Sequence, residues 1–300
     1  MKTRIFLAVI LIAGAAFAGR WVNRTVSPRA AGGTRDETRQ TFRLDAGAFV
    51  EVGKINGTVE VRTADTDTAE VHIVRTAGSA EDLEYGRVSV EGSPSSLVVR
   101  GERGGGGGLW HRIWNGGGQV RQEVTLTLPR RVELSASHVN GAVSVGGLEG
   151  SIEVSHVNGR VEVAQSTGRS HVSHVNGGVK VGVSALGDEG VDVSHVNGNV
   201  EIRLKQLVNA DVEAEGHNGA LTLNVPNVTM QERLNRSYTR ARFGTGGTPV
   251  EIRRVNGNIR FESDAAASTA QTITVIAPGV VAPMVELPPP PPAPPAPPAP

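Results

Sequence analysis

The sequence predicts an all-β protein whose main part is a β-solenoid, a parallel β-helix-like stack of short coils. The pentapeptide Ser-His-Val-Asn-Gly occurs four times, at residues 137–141, 155–159, 173–177 and 194–198. Asn-Gly pairs recur around these copies with central spacings of 18, 18, 21 and 21 residues. After each pair comes one residue of variable type, and then three residues of which the first and third are apolar. Self-similarity at such a period is the signature of a repeat architecture.

The flanking pattern requires a turn at each Asn-Gly pair. Ile152 and Val154 precede one pair, whereas Val161 and Val163 follow it with the opposite parity. Because side chains alternate between the faces of a strand, both sets can face one core only if the chain direction is reset between them. Asn and Gly tolerate the positive φ of tight turns. The predicted turn residues are Asn56, Gly57, Asn140, Gly141, Asn158, Gly159, Asn176, Gly177, Asn197, Gly198, Asn218, Gly219, Asn256 and Gly257.

Two arrangements of the strands satisfy this pattern. In a solenoid, each strand pairs with its equivalent in the next coil, and the Asn side chains can form a hydrogen-bonded ladder. In the alternative, the repeats are stacked β-hairpins in an antiparallel sheet. The repeat length of 18–21 residues suits a coil of two or three short strands, and near-identical copies favour stacking like upon like. We therefore predict the solenoid.

The two ends of the chain have compositions unlike the middle. Residues 1–18 begin with Lys2 and Arg4, continue as an apolar run and end in Ala-Phe-Ala, the pattern of a secretory signal peptide. An uncleaved anchor is the alternative. The predicted organisation is then a linker (19–37), an irregular N-terminal β region (38–130), regular solenoid repeats (131–263), a second linker with one strand over 271–276 (264–287) and a polyproline tail (288–300).

The irregular region is expected to contain six strands, at residues 50–52, 58–61, 69–75, 87–91, 97–100 and 122–128. Two glycine runs bracket Trp110 and Trp114. Neither run has the strand-to-helix context with Lys-Ser/Thr that a phosphate site needs. The two tryptophans are candidate ligand-binding residues for a sugar or a protein partner. The alternative is that they fold back over an open end of the core.

Composition excludes several classes of protein. The chain has 30 Lys and Arg against 30 Asp and Glu, so no one-signed field favours nucleic acid or an anionic membrane as a partner. It contains no Cys, which excludes disulfides, thiol chemistry and a cysteine-linked lipid anchor. Packing and backbone hydrogen bonds must therefore stabilise the exported chain.

The Asn-Gly-x-Val-x-Val rungs between Ile55 and Phe261, with Thr127-Leu128-Pro129 before the first pentapeptide, resemble the bacterial putative adhesin domain family. This is a group of exported proteins related to the head GIN domain of adhesins. The resemblance covers residues 38–263. It implies an envelope-facing β-solenoid without established catalytic residues.

The Ser-His pair in each pentapeptide invites comparison with a hydrolase. A nucleophilic serine needs a base within hydrogen-bond reach and a third group that orients the base. Ser155 and His156 are neighbours, so on one strand they should point to opposite faces, and no carboxylate holds a constant place beside the histidine. A carbohydrate-active β-helix enzyme would need carboxylates clustered on one face. The outward charges are mixed instead, so neither enzyme is expected.

The repeated histidines are the candidate metal ligands. With coils in register, His138, His156, His174 and His195 should line up at about the strand spacing of 4.8 Å, with His217 extending the column at an offset of one residue. Neighbouring imidazoles could then share Zn²⁺ or Cu²⁺. The other interpretation is a packed ladder, hydrogen-bonded to backbone, which protonation below about pH 6 would destabilise.

The sequence thus predicts an exported, non-enzymatic, adhesin-like module that is periplasmic, on the cell surface or secreted. Its expected partner is an unknown protein or glycan of the cell envelope, with no nucleic acid and no stable membrane span after signal cleavage. A metal-binding envelope protein that uses the histidine column is the alternative function.

Overall fold

A computed structural model of the protein describes residues 21–28, 33–103, 120–188, 190–205, 207–235, 237–264 and 271–275. The predicted signal peptide, Trp110, Trp114 and the polyproline tail lie outside these residues. The described part is built almost entirely from strands, as an all-β fold requires.

The N-terminal part comprises β1 (Trp21–Pro28), β2 (Thr34–Arg43), β3 (Ala48–Gly53), β4 (Gly57–Ala64), β5 (Thr68–Ala77), α1 (Ala80–Tyr85), β6 (Gly86–Ser93), β7 (Ser96–Arg103) and β8 (Arg121–Pro129). The central part comprises β9 (Val132–Val139), β10 (Val143–Val145), β11 (Ile152–Val157), β12 (Val161–Ser166), β13 (Ser170–Asn176), β14 (Val179–Val183), β15 (Val191–Asn197) and β16 (Val200–Leu204). The C-terminal part comprises β17 (Ala210–Glu215), β18 (Leu221–Val225), β19 (Val228–Asn235), β20 (Tyr238–Phe243), β21 (Thr248–Val255), β22 (Ile259–Ser263) and β23 (Gln271–Val275).

The strands form two long sheets, and each regular coil contributes one strand to each sheet. Between the two strands of a coil the chain turns at an Asn-Gly corner. Strand β11 pairs in parallel with β9 on one side and with β13 on the other, each residue opposite its equivalent in the next coil. This in-register parallel pairing confirms the solenoid, and the hairpin-stack alternative is wrong for these coils.

The coils are not stacked in the order of the chain. One sheet runs β1-β2-β5-β8-β4-β10-β12-β14-β16-β22-β18-β23, and the other runs β19-β20-β17-β21-β15-β13-β11-β9-β3-β7-β6. The coil of β21 and β22 is therefore inserted between the coil of β15 and β16 and the coil of β17 and β18. At the opposite end, the coil of β3 and β4 is inserted in the same way between β7/β8 and β9/β10.

The core lies between the two sheets and consists mainly of the alternating apolar residues that the rungs supply. Val154, Val161 and Val163 are each 0–1% exposed. One coil is too thin to bury its own apolar side chains, so each layer depends on the coils above and below it. Parallel in-register pairing places valine on valine along the axis and keeps this core continuous.

Antiparallel strands close both ends of the stack. At the N-terminal end β8 pairs with β5, β5 with β2, and β2 with β1. At the C-terminal end β20 and β19 extend one sheet, and β23 extends the other. These strands cover sheet edges that a solenoid would otherwise leave open. The predicted linker over residues 19–37 is therefore wrong, since β1 and the start of β2 occupy it as cap strands.

The strand predictions for the irregular regions are confirmed. The six expected strands lie within β3 to β8, and the expected strand over residues 271–276 is β23.

A buried ion pair stabilises the N-terminal cap. Arg75 Nε donates to Asp36 Oδ2 at 2.9 Å, and Nη1 donates to the carbonyl oxygens of Leu83 at 2.8 Å and Gly86 at 3.0 Å. Arg75 thereby ties the end of α1 to β2 and β5.

The corner glycines allow the coils to approach closely. A Cβ atom on Gly159 would lie 2.2 Å from the carbonyl oxygen of Gly141, and one on Gly177 would lie 2.2 Å from that of Gly159. Both residues also have positive φ, +159° and +155°. The clash would be with backbone, which cannot rotate aside as a side chain can. Glycine is therefore required wherever one corner stacks on the next.

We expect Gly159→Ala to lower the free energy of unfolding by about 3 kcal/mol or more, because the backbones of two coils must separate. Gly47→Ala is the matched control, since Gly47 also has positive φ, +82°, but an added Cβ would meet no atom within 4 Å. We expect the control to lose only about 1 kcal/mol through conformation. Urea unfolding followed by circular dichroism measures both changes. Equal losses in the two variants would contradict the steric role of the corner.

Candidate functional site

The candidate site is the corner that each coil presents to solvent. His138, His156, His174 and His195 have left-handed backbone conformations, with φ of 54–55°. This conformation is uncommon for a residue with a Cβ atom, although His adopts it more often than most. Each histidine therefore kinks the end of its strand just before the Asn-Gly pair.

The kink corrects the sequence-based assignment of faces. Val154 and Val157 are both buried although they are three residues apart, and His156 between them is exposed. The chain direction is therefore reset at the histidine as well as at Asn-Gly. Ser155 and His156 both lie on the outer surface rather than on opposite faces, and the rings are not packed inside.

The seven asparagines of the corners form a continuous hydrogen-bonded ladder. Five side-chain bonds, each Nδ2 to the Oδ1 of the neighbouring coil, join Asn140 to Asn56 (2.9 Å), Asn158 to Asn140 (3.0 Å), Asn176 to Asn158 (3.0 Å), Asn197 to Asn176 (3.0 Å) and Asn256 to Asn197 (2.9 Å). A sixth bond runs from Asn218 to Asn256. The ladder follows the order of coils in space, so Asn256 lies between Asn197 and Asn218.

The four histidine rings stack face to face in a second column beside the ladder. Ring centroids are 4.8 Å apart between His138 and His156, 4.7 Å between His156 and His174, and 4.6 Å between His174 and His195. The planes of neighbouring rings differ by only 1–4°. The spacing is the distance between paired strands, so the stack is a direct consequence of in-register coils.

The stack does not fit an ion shared between neighbouring rings. The lone pair of an imidazole nitrogen lies in the plane of its ring, and a metal ion binds in that plane. Because stacked rings occupy parallel planes, no point lies in the planes of two adjacent rings. Within the described part of the chain, no group of three or more His, Asp and Glu side chains has a spacing that would hold an ion. The geometry thus disagrees with the metal site considered from the sequence.

Two further basic residues continue the histidine column at its ends. Lys54 and Arg254 occupy the same corner position, with φ of 57° and 54°. Arg254 Nη1 lies 2.7 Å from His195 Nε2. Since Arg can only donate, Nε2 is the acceptor, and the proton of the neutral ring is on Nδ1. Sequence reasoning missed Lys54 and Arg254, although counting two residues back from Asn-Gly would have found them.

His217 is not part of this column. Gly216 occupies the corner position of its coil, with φ of 68°, and His217 takes the place that buried Val or Ile has in the other coils. Its ring is 3% exposed, and neither ring nitrogen has a hydrogen-bond partner of ordinary geometry among the described residues. The expected extension of the column by His217 is therefore wrong.

Burial and neighbouring charge shift two histidines in the same direction. Burial lowers the pKa of His174 from 6.5, and the neighbouring rings of His195, His156 and His171 lower that pKa further. Burial also lowers the pKa of His217 from 6.5, with the backbone at Ser237 opposing the shift. Both side chains are therefore held neutral at pH values where a free histidine begins to be protonated.

The serine and histidine of each pentapeptide both lie on the outer surface, but they do not form a reactive pair. In the described coils no hydrogen bond joins the serine of a pentapeptide to a histidine of the column. The two histidines that do contact carboxylates lie elsewhere, with His72 at 2.8 Å from Glu37 and His171 at 3.1 Å from Asp192.

Trp110 and Trp114, the other candidate ligand-binding residues, are outside the described residues. Within those residues, no helix has the length and apolarity needed to cross a membrane.

The overall arrangement is similar to crystal structures of proteins described as putative adhesins. A putative cell adhesion protein from Clostridium sporogenes is 10% identical, covering 76% of this chain and 100% of that chain, with a TM-score of 0.38. Putative adhesins from Bacteroides fragilis and Parabacteroides merdae are each 10% identical, with TM-scores of 0.29 and 0.26. They cover 75% and 74% of this chain, and 96% and 95% of their own. No family model matches the sequence, and no curated protein matches it. These likenesses carry no conclusion about function.

We expect Asn158→Ala to lower the free energy of unfolding by about 1–2 kcal/mol, because it removes two hydrogen bonds of the ladder. Asn224→Ala is the matched control, since Asn224 faces outward on β18 and its side chain has no hydrogen bond among the described residues. The control should change stability by less than about 0.5 kcal/mol. Urea midpoints of the two variants give the comparison, and equal effects would contradict a stabilising ladder.

We expect acid to destabilise the protein partly through His217. Its folded-state pKa lies below 6.5, so stability is greatest above pH 6.5 and falls below it, where the unfolded chain takes up the proton first. Five other corners have Val directly before Asn-Gly. His217→Val introduces that residue here and should raise the melting temperature at pH 7.5. It should also reduce the loss in melting temperature between pH 7.5 and pH 5.0. A loss as large as that of the wild type would contradict this role.

Proposed function

We propose that the protein is an exported, non-enzymatic, adhesin-like module that binds a protein or glycan of the cell envelope through the outer surface of its solenoid. The observation that carries the proposal is the repetition of identical exposed side chains along straight columns across consecutive coils. An extended surface of this kind is the usual binding surface of solenoid proteins. It suits a partner that is itself long or repetitive.

Two features of the outer surface support a binding role over catalysis. The serine and histidine of each corner form no nucleophile–base pair, and the same corner recurs several times rather than once. The outward charges of the regular coils pair with each other across neighbouring strands, as Lys180 does with Glu201 at 3.2 Å and Arg203 with Glu262 at 3.4 Å. Such mixed ion pairs are typical of a solvated face.

Export is supported by the N-terminal sequence. Residues 1–18 carry the charged start, apolar run and small-residue ending of a signal peptide. The absence of Cys from the whole chain is compatible with an oxidising compartment, because no thiol is present to form mispaired disulfides.

The proposal is tested by expressing the full chain in a bacterial host and fractionating the cells. We expect the protein in the periplasm or medium, with a mature N-terminus at residue 19. Leu11→Arg, which interrupts the apolar run, is the control and should remain in the cytoplasm. Retention of the wild type in the cytoplasm would contradict export.

The purified mature chain is then incubated with isolated envelope glycans and envelope proteins, and both binding and product release are measured. We expect saturable binding without cleavage. Release of sugars or peptides would overturn the non-enzymatic role, and absence of binding to every envelope fraction would overturn the interaction role.

A further inference from the structure

The corner column has a feature that its backbone conformation does not explain. Six consecutive coils in space place Lys54, His138, His156, His174, His195 and Arg254 at one position, all with φ between 54° and 57°. The left-handed conformation favours Gly, Asn and, among other residues, His, and the coil of β17 uses Gly216. It does not favour Lys54 or Arg254. Every residue with a side chain at this position nevertheless carries a positive charge or gains one on protonation. We name these six residues the basic column.

From this arrangement we propose that the basic column is an acid-activated binding site for a linear carboxylated polysaccharide. The inference rests on the proposed interaction role of the solenoid surface and names the ligand class and its regulation. Carboxylates of an extended chain that lies along the axis of the solenoid would contact Lys54, Arg254 and the protonated rings between them.

The geometry of the column suits a long ligand. All six side chains are exposed, and the four rings repeat at 4.6–4.8 Å with nearly parallel planes. Five strand spacings separate Lys54 from Arg254, which makes the column roughly 24 Å long. A single small anion could contact only one or two of its members. A polymer with regularly spaced charges could contact all of them.

The charged groups around the column leave it available to anions. In the described coils no carboxylate forms an ion pair with the four rings; the histidine–carboxylate pairs there involve His72 and His171. The adjacent column holds mainly serines, and its members are Gly53, Ser137, Ser155, Ser173, Ser194, Arg253 and Glu215. Ser173 is buried, whereas Ser137, Ser155 and Ser194 are partly exposed. Serine hydroxyls can donate hydrogen bonds to carboxylates or to sugar hydroxyls. Arg160 is the charged residue on the far side of the Asn-Gly corner.

Glu215 is the acid of the adjacent column, and beyond the Asn-Gly corner the other sheet carries Glu60, Glu162 and Glu201 in one outward column with Lys180. A further row of acids lies one column beyond the serines. Its members are Glu51, Glu153, Asp192, Glu251 and Glu213, together with Ser135 and His171. Several of these carboxylates already have basic partners. Glu51 pairs with Arg100, and Asp192 pairs with His171. Protonation of the rings therefore creates a positive row that the surrounding carboxylates do not neutralise by direct contact.

Acid converts the column from two separate charges into a row. Lys54 and Arg254 carry the fixed positive charges of the column and stand at opposite ends. Acid favours the charged form of an imidazole. Desolvation, and after it the neighbouring rings of His195, His156 and His171, lower the pKa of His174, so charges along the row oppose one another. An anion beside each ring relieves this repulsion. Ligand binding and proton uptake therefore strengthen each other.

The composition of the chain favours a uronic acid polymer over a nucleic acid. A chain of sugar acids carries one carboxylate and several hydroxyls per ring. A nucleic acid carries a dense row of phosphates, and the balance of 30 Lys and Arg against 30 Asp and Glu gives no one-signed field to attract it. Sugar hydroxyls would also complement the adjacent serines, which phosphate groups alone would not require.

The test uses the mature full chain and oligomers of polygalacturonate, with uncharged galactan as the control glycan. Biolayer interferometry at pH 5.0 and pH 7.5 should show binding of polygalacturonate at least about tenfold tighter at the lower pH, and no binding of galactan. Equal affinity at the two pH values, or none at either, would overturn the proposal. Equal or tighter acid-dependent binding of polyphosphate or single-stranded DNA would overturn the ligand class.

Two paired variants locate the effect in the column. His156→Asn with His174→Asn keeps residues that tolerate the left-handed backbone but cannot be protonated, and should lose most of the tightening at pH 5.0. His156→Arg with His174→Arg copies the natural residue of Arg254, doubles the fixed charge of the column and should bind at pH 7.5 more tightly than the wild type does at that pH. His72→Gln, outside the column, is the matched control and should behave as the wild type.

The Arg variant tests the proposal at neutral pH, so acid unfolding cannot obscure the result; circular dichroism at both pH values checks the folded state. Unchanged acid dependence in the Asn variant, or no gain in the Arg variant, would overturn the site. Binding of another envelope component at pH 7.5 by the Asn variant would leave the interaction role intact while this inference fails. Cytoplasmic retention would contradict export without affecting the result for purified protein.

Discussion

The close approach of one corner to the next is the constraint on which the rest of the structure depends. Coils pair at the spacing of β-strands, and the corner must follow at the same spacing. Gly141, Gly159 and Gly177 allow this because a Cβ atom would lie within about 2 Å of a neighbouring carbonyl oxygen. With the corners in contact, the strands on either side are held in register, and valine packs on valine through the core.

The same constraint arranges the surface. Once the coils are in register, any residue repeated in the sequence becomes a straight column on the molecule. The asparagines beside the glycines then bond to each other in a ladder, and the histidines two residues earlier stack ring upon ring. The ladder satisfies its polar groups from within the column, whereas the ring edges of the histidines remain exposed. A hydrogen-bonded column and a column of exposed rings thus lie side by side.

Much of the fold follows from local patterns, and its exceptions have physical causes. Alternation of valines predicted the strands, and Asn-Gly predicted the corners, because both signals depend on neighbouring residues alone. Alternation could not reveal that His156 adopts a left-handed conformation, so the faces of Ser155 and His156 were assigned wrongly. Nor could it reveal β1 in a segment without a regular apolar pattern. That strand forms because β2 presents a free edge to it.

The sequence by itself determined the repeat, the corners and the residues of the core, since these depend on spacing and on the conformational freedom of Asn and Gly. Only the tertiary structure decided the order in which the coils stack. Near-identical rungs are interchangeable as neighbours, so the period does not specify which coil pairs with which. The connections and the antiparallel caps make that choice: they place Asn256 between Asn197 and Asn218 and insert the coil of Asn56 between later strands. They also bring Lys54 and Arg254 to the two ends of one column, although these residues lie far apart in the chain.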